Sequence, residues 1–234
     1  MLSQRLLGLV SLLPLVLACS KNAPPAEEPR YELDEEEESS GGPEMMAEFG
    51  GLNEEKVARV FKNVQPALSD CLMKGYSRVE FLGGEVRFLV NVNLSGRAES
   101  AFIESSNLGD YETEMCMLRE LASQKWPKPV GGRIGPARNS IAFDPPSDVR
   151  APVEWSASHV RSALAQGSEE LRACGGDGPF VITAYVNTNG SVLSAGVAHS
   201  DPNGEAAALC LLNAVRSLKF PSPGSWPAKV TFER

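Results

Sequence analysis

The sequence lacks the residues and motifs on which most enzymes depend. Its 234 residues include two histidines, His159 and His199, which are isolated and do not occupy equivalent places in the repeat described below. It has no nucleophile elbow, no His-Glu-x-x-His pair, no P-loop and no dinucleotide-binding glycine fingerprint. The glycine-rich stretch Gly131–Gly135 lies between a predicted helix end and a strand, which is the wrong context for a phosphate cradle. We therefore expect a non-enzymatic protein with no catalytic residue, no metal and no small-molecule cofactor.

Positive charge is also scarce. The formal net charge is −8, and residues 20–51 alone hold ten acidic and two basic residues, most densely at Asp34–Glu38. The rest of the chain is therefore nearly neutral and offers no basic patch to neutralise phosphates, which argues against a nucleic-acid partner. Residues 20–51 show no apolar periodicity and bury too little surface to offset their ordering entropy. We expect a disordered acidic linker over residues 19–51.

No apolar run is long enough for a transmembrane helix, which needs about 20 residues. The run Leu6–Ala18 follows Arg5 and ends directly before Cys19. This arrangement resembles the signal peptide and lipobox of bacterial lipoproteins, in which cleavage leaves the cysteine as the lipidated first residue. The resemblance implies removal of residues 1–18, lipidation of Cys19 and attachment to a membrane through that lipid. Ser20, where an Asp would favour retention at the inner membrane, indicates the outer membrane, with the protein facing the periplasm. The alternative is an uncleaved signal followed by an ordinary free cysteine.

The two halves of the chain repeat at a constant offset of 94 residues, a sign of duplicated modules. Gly96 aligns with Gly190, and no gap is needed from there to the alignment of Pro129 with Pro223. Further identities in or beside this window are Val92-Asn93 with Val186-Asn187, Ser100-Ala101 with Ser194-Ala195, Ser106 with Ser200, Cys116 with Cys210, Leu118 with Leu212, Lys125 with Lys219 and Pro127 with Pro221. We interpret residues 52–146 and 152–234 as two tandem modules.

The first module reads as helix, strand, strand, helix, strand. Asn53 is a good N-cap for a first helix of amphipathic spacing, in which Pro66 predicts a kink or break. Val86–Leu94 alternates apolar and polar residues, as a half-buried strand does. A second helix is expected from about Asp110, and a closing strand over Asn139–Phe143.

The second module repeats this order. Its first helix has a weak point at Gly167, and Asn189-Gly190 is a strong signal for a two-residue hairpin. A second helix is expected from about Asn203, and a closing strand over Lys229–Phe232. The predicted fold class is α+β, with two tandem α-β-β-α-β modules.

The remaining cysteines fall in corresponding elements of the two modules. An exported chain meets an oxidising compartment, so thiols tend to pair. With Cys19 lipidated, four cysteines remain, and they allow three pairings. The repeat favours Cys71 with Cys116 and Cys174 with Cys210, one bond inside each module. A redox site or a metal site is the alternative, although no Cys-x-x-Cys occurs.

The first module contains, in order, a strand pair ending at Glu104–Leu108, a helix, Trp126-Pro127, Gly131-Gly132 and a closing strand with Phe143. This order resembles that of the carboxy-terminal domain of TonB. The resemblance is closer to the cysteine-containing version at the ends of the gliding-motility proteins AgmX and PglI. In that subfamily a first-helix cysteine precedes a Gly-Gly-x-Val strand, here Gly83–Val86, and a second cysteine lies in the next helix. The second module departs from the pattern, for example with His199-Ser200-Asp201 in place of Ser-Ser-Asn.

The resemblance implies that each module is a small antiparallel sheet packed on two helices. It also implies binding through a sheet edge, to which an extended peptide of an envelope protein adds as a further strand. The expected partner-binding edge strands match the family's closing strand and comprise Asn139, Ser140, Ile141, Ala142 and Phe143 in the first module and Lys229, Val230, Thr231 and Phe232 in the second. Proline at Ile141 or Val230 is then expected to weaken binding without unfolding the domain. The alternative is that these edges pair with each other or with the linker.

We therefore expect an adaptor or scaffold in an envelope complex of the motility or transport type. The energy-coupling role of TonB does not carry over, because a lipid anchor and an acidic tether replace the inner-membrane helix and the proline-rich span. A module that binds cell-wall glycan or a small ligand is the alternative function, and it would need a concave apolar pocket with converging polar groups.

Overall fold

The computed structural model describes residues 47–200 and 203–234. The predicted signal peptide, Cys19 and the acidic segment up to residue 46 lie outside the described residues. The helices are α1 Glu54–Gly75, α2 Tyr111–Ser123, α3 Arg161–Gln166, α4 Ser168–Ala173 and α5 Glu205–Ser217, and the strands are β1 Ala47–Phe49, β2 Gly84–Asn93, β3 Ala98–Ser106, β4 Gly132–Phe143, β5 Val153–Trp155, β6 Phe180–Val186, β7 Val192–His199 and β8 Ala228–Glu233. A short 3₁₀ helix, Ala157–His159, precedes α3. Within the described ranges, no helix is both long and apolar enough to cross a membrane.

The fold is α+β, as predicted, with two four-stranded mixed sheets. The first sheet has the strand order β1-β4-β2-β3, and the second has the equivalent order β5-β8-β6-β7. The three long strands of each sheet are antiparallel. The short strands β1 and β5 pair in parallel with β4 and β8, respectively. The sequence analysis did not predict β1 and β5. Residues 47–51, assigned there to the disordered linker, belong to the first sheet, because Ala47 pairs with Gly132 and Gly51 bridges to Val130.

Helix α1 covers one face of the first sheet. The Asn53 side chain caps it by accepting a hydrogen bond from the Lys56 amide at 2.9 Å, as predicted. Residues at helical spacing bury one face of α1 against the sheet, namely Phe61, Val64, Leu68, Cys71 and Leu72. The expected break at Pro66 does not occur, and α1 continues through it as one 22-residue helix. Burial of side chains on both sides of Pro66 offsets the missing backbone hydrogen bond.

The corresponding helical region of the second module is interrupted, as Gly167 indicated. It consists of α3 and α4, with Gly167 between them, and a Cβ at Gly167 would overlap the side chain of Leu218. The second module therefore has a shorter helical layer than the first.

The alignment of Gly96 with Gly190 has a structural cause. The two glycines have φ angles of +76° and +81°, which side chains with a Cβ rarely adopt. In each module the backbone amide of an aromatic residue, Trp126 or Phe220, donates to the carbonyl of the glycine at 2.9 Å. A Cβ on either glycine would overlap the carbonyl of that aromatic residue. The hairpin turn and the end of the second helix are thus fixed together in both halves.

The two modules pack on each other within one compact unit. The face of the second sheet opposite its own helices contacts the first module, and Tyr185 is fully buried there beside Phe81, with ring centroids 5.6 Å apart. The Tyr185 hydroxyl and the Lys229 ammonium both donate to the Gly83 carbonyl, at 3.2 and 2.8 Å. This contact, which we call the intermodule joint, covers a sheet face that a lone module would expose to water.

Each module contains one disulfide bond, and the pairs are those that the repeat favoured. Cys71 in α1 is bonded to Cys116 in α2, with 5.7 Å between their Cα atoms. Cys174, directly after α4, is bonded to Cys210 in α5, with 5.4 Å between Cα atoms. The bonds close loops of 45 and 36 residues, so the chain-entropy model assigns each of them about 4 kcal/mol of stabilisation.

Removing either bond should therefore destabilise the protein by a similar amount. We expect the pair of substitutions Cys71→Ala and Cys116→Ala to lower the free energy of unfolding by about 4 kcal/mol. Urea unfolding without reductant measures this, and Cys174→Ala with Cys210→Ala is the matched comparison. Free thiols in the unaltered protein, or a loss below about 1 kcal/mol for both pairs, would contradict the assignment.

Candidate functional site

The candidate site is the outer edge of β4. On its inner side β4 pairs with β2 along ten residues, from Gly84 opposite Phe143 to Asn93 opposite Ile134. On its outer side β1 pairs only with Gly132 and Ile134. In the part of the chain that the structure describes, residues 135–143 have no strand on their outer side.

Hydrogen bonding identifies which groups of β4 face outward. The Gly50 amide donates to the Ile134 carbonyl at 2.8 Å, so Ile134 turns its backbone toward β1. Backbone groups of a strand alternate between its two sides, so the outward residues are Pro136, Arg138, Ser140 and Ala142. Asn139 and Ile141 turn their backbone groups toward β2.

The open edge is partly blocked by its own residues. Pro136 has no amide hydrogen, and the Ser140 amide donates to the Asn139 side-chain oxygen at 3.0 Å. Arg138 adds an exposed charge, paired with Glu104 at 2.9 Å. Such features hinder indiscriminate strand pairing. The amides of Arg138 and Ala142 and the outward carbonyls of the edge remain available within the described residues.

A groove lies between this edge and helix α1, with a volume of about 890 Å³. Its lining includes the partly buried Val57 and the buried Phe61 and Ala137. Leu52 closes one end, because it packs against Gly135 where the chain passes from β1 to α1. The seven residues 136–142 extend over about 23 Å, which is enough for an added strand of that length.

Helix α1 and β4 run in the same direction along the groove. Leu52, just before α1, lies beside Gly135 near the start of the open edge. The Tyr76 hydroxyl, just after α1, donates to the Asp144 carbonyl at 3.2 Å beyond the end of β4. The amino-terminal turns of α1 therefore face the Pro136 end of the edge, and its later turns face the Ala142 end.

The predicted edge strands differ in outcome. Asn139–Phe143 lies on the open edge of β4, where it was expected. The expectation of an open edge at Lys229 and Val230 is wrong, because β5 pairs with Ala228, Lys229 and Val230. The covering strand β5 lies within residues 152–234, which the sequence analysis assigned to the second module itself. Thr231 and Phe232 extend beyond β5, but β8 ends at Glu233 and leaves no comparable length of edge.

Proline at the two positions chosen from sequence would not probe an edge. Ile141 turns its backbone toward β2, where it pairs with Val86. The Val153 amide donates to the Pro227 carbonyl, so the odd-numbered residues of β8 turn their backbone groups toward β5. Val230 therefore turns its backbone toward β6, where it pairs with Ala184. Either substitution would break a central strand pairing, whereas Ser140 is the outward position that sequence alternation alone could not identify.

The acidic groups with shifted pKa values lie where the two modules meet and not in the groove. Asp110 caps α2 and is fully buried, with the Ser194 hydroxyl of the second module donating to it at 2.8 Å and the Arg78 Nε at 3.0 Å. Burial raises the pKa of Asp110, but the hydrogen bonds from Arg78, Thr113 and Ser194 outweigh this and hold its pKa below the usual value.

Glu114 is the other buried acid of the joint. Burial raises its pKa to about 7, although the Ser106 hydroxyl donates to it at 2.6 Å. Its carboxyl lies against β7 of the second module, where a Cβ at Gly196 would overlap it. Asp110 and Glu112 raise its pKa further. The sequence analysis missed both buried acids: Asp110 marked only the expected start of the second helix, and Glu114 was not singled out.

The two histidines contact aromatic rings. His159 stacks on Trp155 with 5.4 Å between ring centroids, and His199 stacks on Phe102 at 6.3 Å. Among the residues described, no three His, Cys, Asp or Glu side chains are grouped so as to hold a metal ion.

Comparisons with protein-family models, with curated proteins and with solved structures find no match to this chain. The TonB resemblance therefore stays a prediction, and the functional argument depends on the geometry of the site itself.

The buried Glu114 should make stability depend on pH. Because its folded pKa lies above its ordinary value, the folded state holds the proton more tightly, and stability falls as pH rises from about 4.5 to about 7. We expect this fall to be about 3 kcal/mol and to disappear in Glu114→Gln. Urea unfolding at about pH 5 and about pH 8 measures it, with Glu80→Gln as the exposed control. Equal pH dependence in the two variants would contradict the assignment.

Proposed function

We propose that this protein is a non-enzymatic, lipid-anchored envelope protein that binds a protein partner by adding a strand to the outer edge of β4. The observation that carries the proposal is the uncovered outer side of residues 135–143 beside an apolar groove. Edge pairing supplies backbone hydrogen bonds, and the groove receives alternate side chains of the added strand.

The asymmetry of the two modules favours β4 over β8 as the binding edge. The first module has a long β4 that continues well beyond β1, whereas β8 of the second module is half as long and is covered at Lys229 and Val230 by β5. The second sheet also uses one face to pack on the first module. In this proposal the second module stabilises the first, and the first captures the partner.

The cellular setting comes from the sequence. The lipobox-like segment ending at Cys19 supports an anchor in the outer membrane at its periplasmic face, and the acidic residues 20–46 support a tether of self-repelling charge. The element order shared with TonB-like domains supports membership of a motility or transport type of envelope complex. The protein would act there as an adaptor or scaffold.

A second groove favours the small-ligand alternative. It has a volume of about 600 Å³ and is lined by Phe102 and Ile103 of β3, Met115 and Leu118 of α2, and Leu209 of α5. Its size and apolar lining suit a small molecule. An apolar molecule that co-purifies with the protein and is identified by native mass spectrometry would favour this function over partner capture.

Proline at an outward position tests edge capture. We expect Ser140→Pro to abolish partner binding, because it places a ring where a backbone partner must approach, while Pro136 in the same strand shows that β4 accepts proline on this side. A photo-cross-linking amino acid at Ala142, used in the native cell, should give a protein adduct that Ser140→Pro removes.

Ser140→Ala is the matched control, because it removes the hydroxyl contact with Glu85 and keeps the amide. It should preserve the adduct. An adduct that survives Ser140→Pro in a protein with unchanged circular dichroism would refute edge capture. Sedimentation with purified cell wall that is unaffected by Ser140→Pro would favour the glycan alternative.

A further inference from the structure

One stripe of helix α1 forms the wall of the groove that faces the open edge. Glu54, Ala58 and Lys62 follow at intervals of four residues, so they lie on the same side of α1, and all three line the groove. All three are exposed. In the part of the chain that the structure describes, neither Glu54 nor Lys62 forms an ion pair. The groove therefore has a free negative charge toward one end and a free positive charge toward the other.

The distance between these charges matches a strand. Eight helical residues rise about 12 Å, which equals about four residues of extended chain. An even interval returns the side chain to the same face of a strand, so residues i and i+4 of a bound segment both point toward α1. Residue i+2 then lies opposite Ala58, whose methyl group leaves room above Val57 and Phe61.

The order of the charges follows from the direction of α1. Glu54 lies toward the Pro136 end of the edge and Lys62 toward the Ala142 end, as described above. A partner antiparallel to β4 would meet Lys62 first, and a parallel partner would meet Glu54 first. The required spacing of the two charges is the same for either direction.

We propose that the segment captured by this groove is an extended peptide with one acidic and one basic side chain four residues apart and an apolar residue midway between them. The acid would meet Lys62, the base would meet Glu54, and the apolar side chain would enter the groove over Ala58. This inference rests on the proposed function and adds the chemistry of the partner to it.

A second copy of β4 does not have this chemistry. Its open edge, residues 136–142, reads Pro-Ala-Arg-Asn-Ser-Ile-Ala, which contains one base and no acid. Paired with itself, it would leave Lys62 without an opposite charge. The charges of the groove therefore favour a different polypeptide as the occupant.

Three synthetic heptapeptides test the charge pattern, all with valine at the centre and threonine at the remaining positions. The second and sixth residues are Glu and Lys in the first peptide, which meet Lys62 and Glu54 when the peptide lies antiparallel to β4. They are Glu and Glu in the second peptide, and Lys and Lys in the third. Fluorescence anisotropy with the full chain at low salt measures their affinities. We expect the mixed-charge peptide to bind about five-fold more tightly than either like-charge peptide, since two exposed attractive pairs replace one attractive and one repulsive pair.

Charge reversal in the protein should redirect this preference. Glu54→Lys should bind the di-acidic peptide most tightly, and Lys62→Glu should bind the di-basic peptide most tightly. Glu55→Lys and Lys56→Glu are the matched controls, because they make the same charge changes on α1 at exposed positions outside the groove lining. Both should keep the preference of the unaltered protein.

The outcomes separate this inference from the proposed function. Equal binding of the three peptides, lost in Ser140→Pro, would overturn the charge pattern and leave edge capture intact. Peptide binding that survives Ser140→Pro would overturn edge capture at β4 and this inference with it. A dimer in sedimentation experiments that Ser140→Pro dissociates would identify a second copy as the occupant and would also overturn the inference.

Discussion

The strand β4 pairs with β2 along ten residues on one side, from Ile134 to Phe143, and with β1 at only two residues on the other. This imbalance is the constraint on which the functional argument depends. Backbone amides and carbonyls are obligatory hydrogen-bonding groups, and a strand edge can keep them in water or offer them to another chain. The first module combines both possibilities, because Pro136 and the Asn139 side chain block part of the edge while Arg138 and Ala142 leave part of it available. The groove beside α1 then adds side-chain contacts to the backbone ones.

The remainder of the molecule holds this edge in place. The disulfide between Cys71 and Cys116 ties α1 to α2, so the wall of the groove is fixed to the body of the module. The second module covers the joint with Tyr185 and Lys229, both hydrogen-bonded to Gly83 directly before β2. Since β2 is the inner neighbour of β4 from Ile134 to Phe143, the joint and the edge share one strand pairing. The duplicated module thus has a supporting part, and its β8 lacks the open length that β4 has.

The sequence predicted the parts of the fold that depend on local chemistry. The N-cap Asn53, the weak helix at Gly167, the equivalent glycines Gly96 and Gly190, and the two cysteine pairs follow from capping preference, backbone freedom and the repeat. The short strand β1 was missed because three residues next to an acidic segment carry no periodic signal.

The features that depend on tertiary contacts could not be predicted in this way. Strand alternation places Ile141 on an apolar face but does not say which neighbour its amide meets, so its inward direction became known only from the bond between Gly50 and Ile134. The burial of Glu114 likewise depends on the packing of the second module against Gly196, which no pattern within α2 contains. Continuation of α1 through Pro66 reflects burial on both sides of the proline, and this outweighs local preference.

Amide hydrogen exchange along β4, measured by NMR on the unbound full chain, tests the central claim most directly. The outward amides of Arg138 and Ala142 should exchange rapidly, while those of Ala137, Asn139 and Ile141, which bond to β2, should exchange slowly, giving an alternation along one strand. Uniformly slow exchange from residue 137 to residue 142 would mean that the outer side of β4 is already paired, and the account of an open edge would then be wrong.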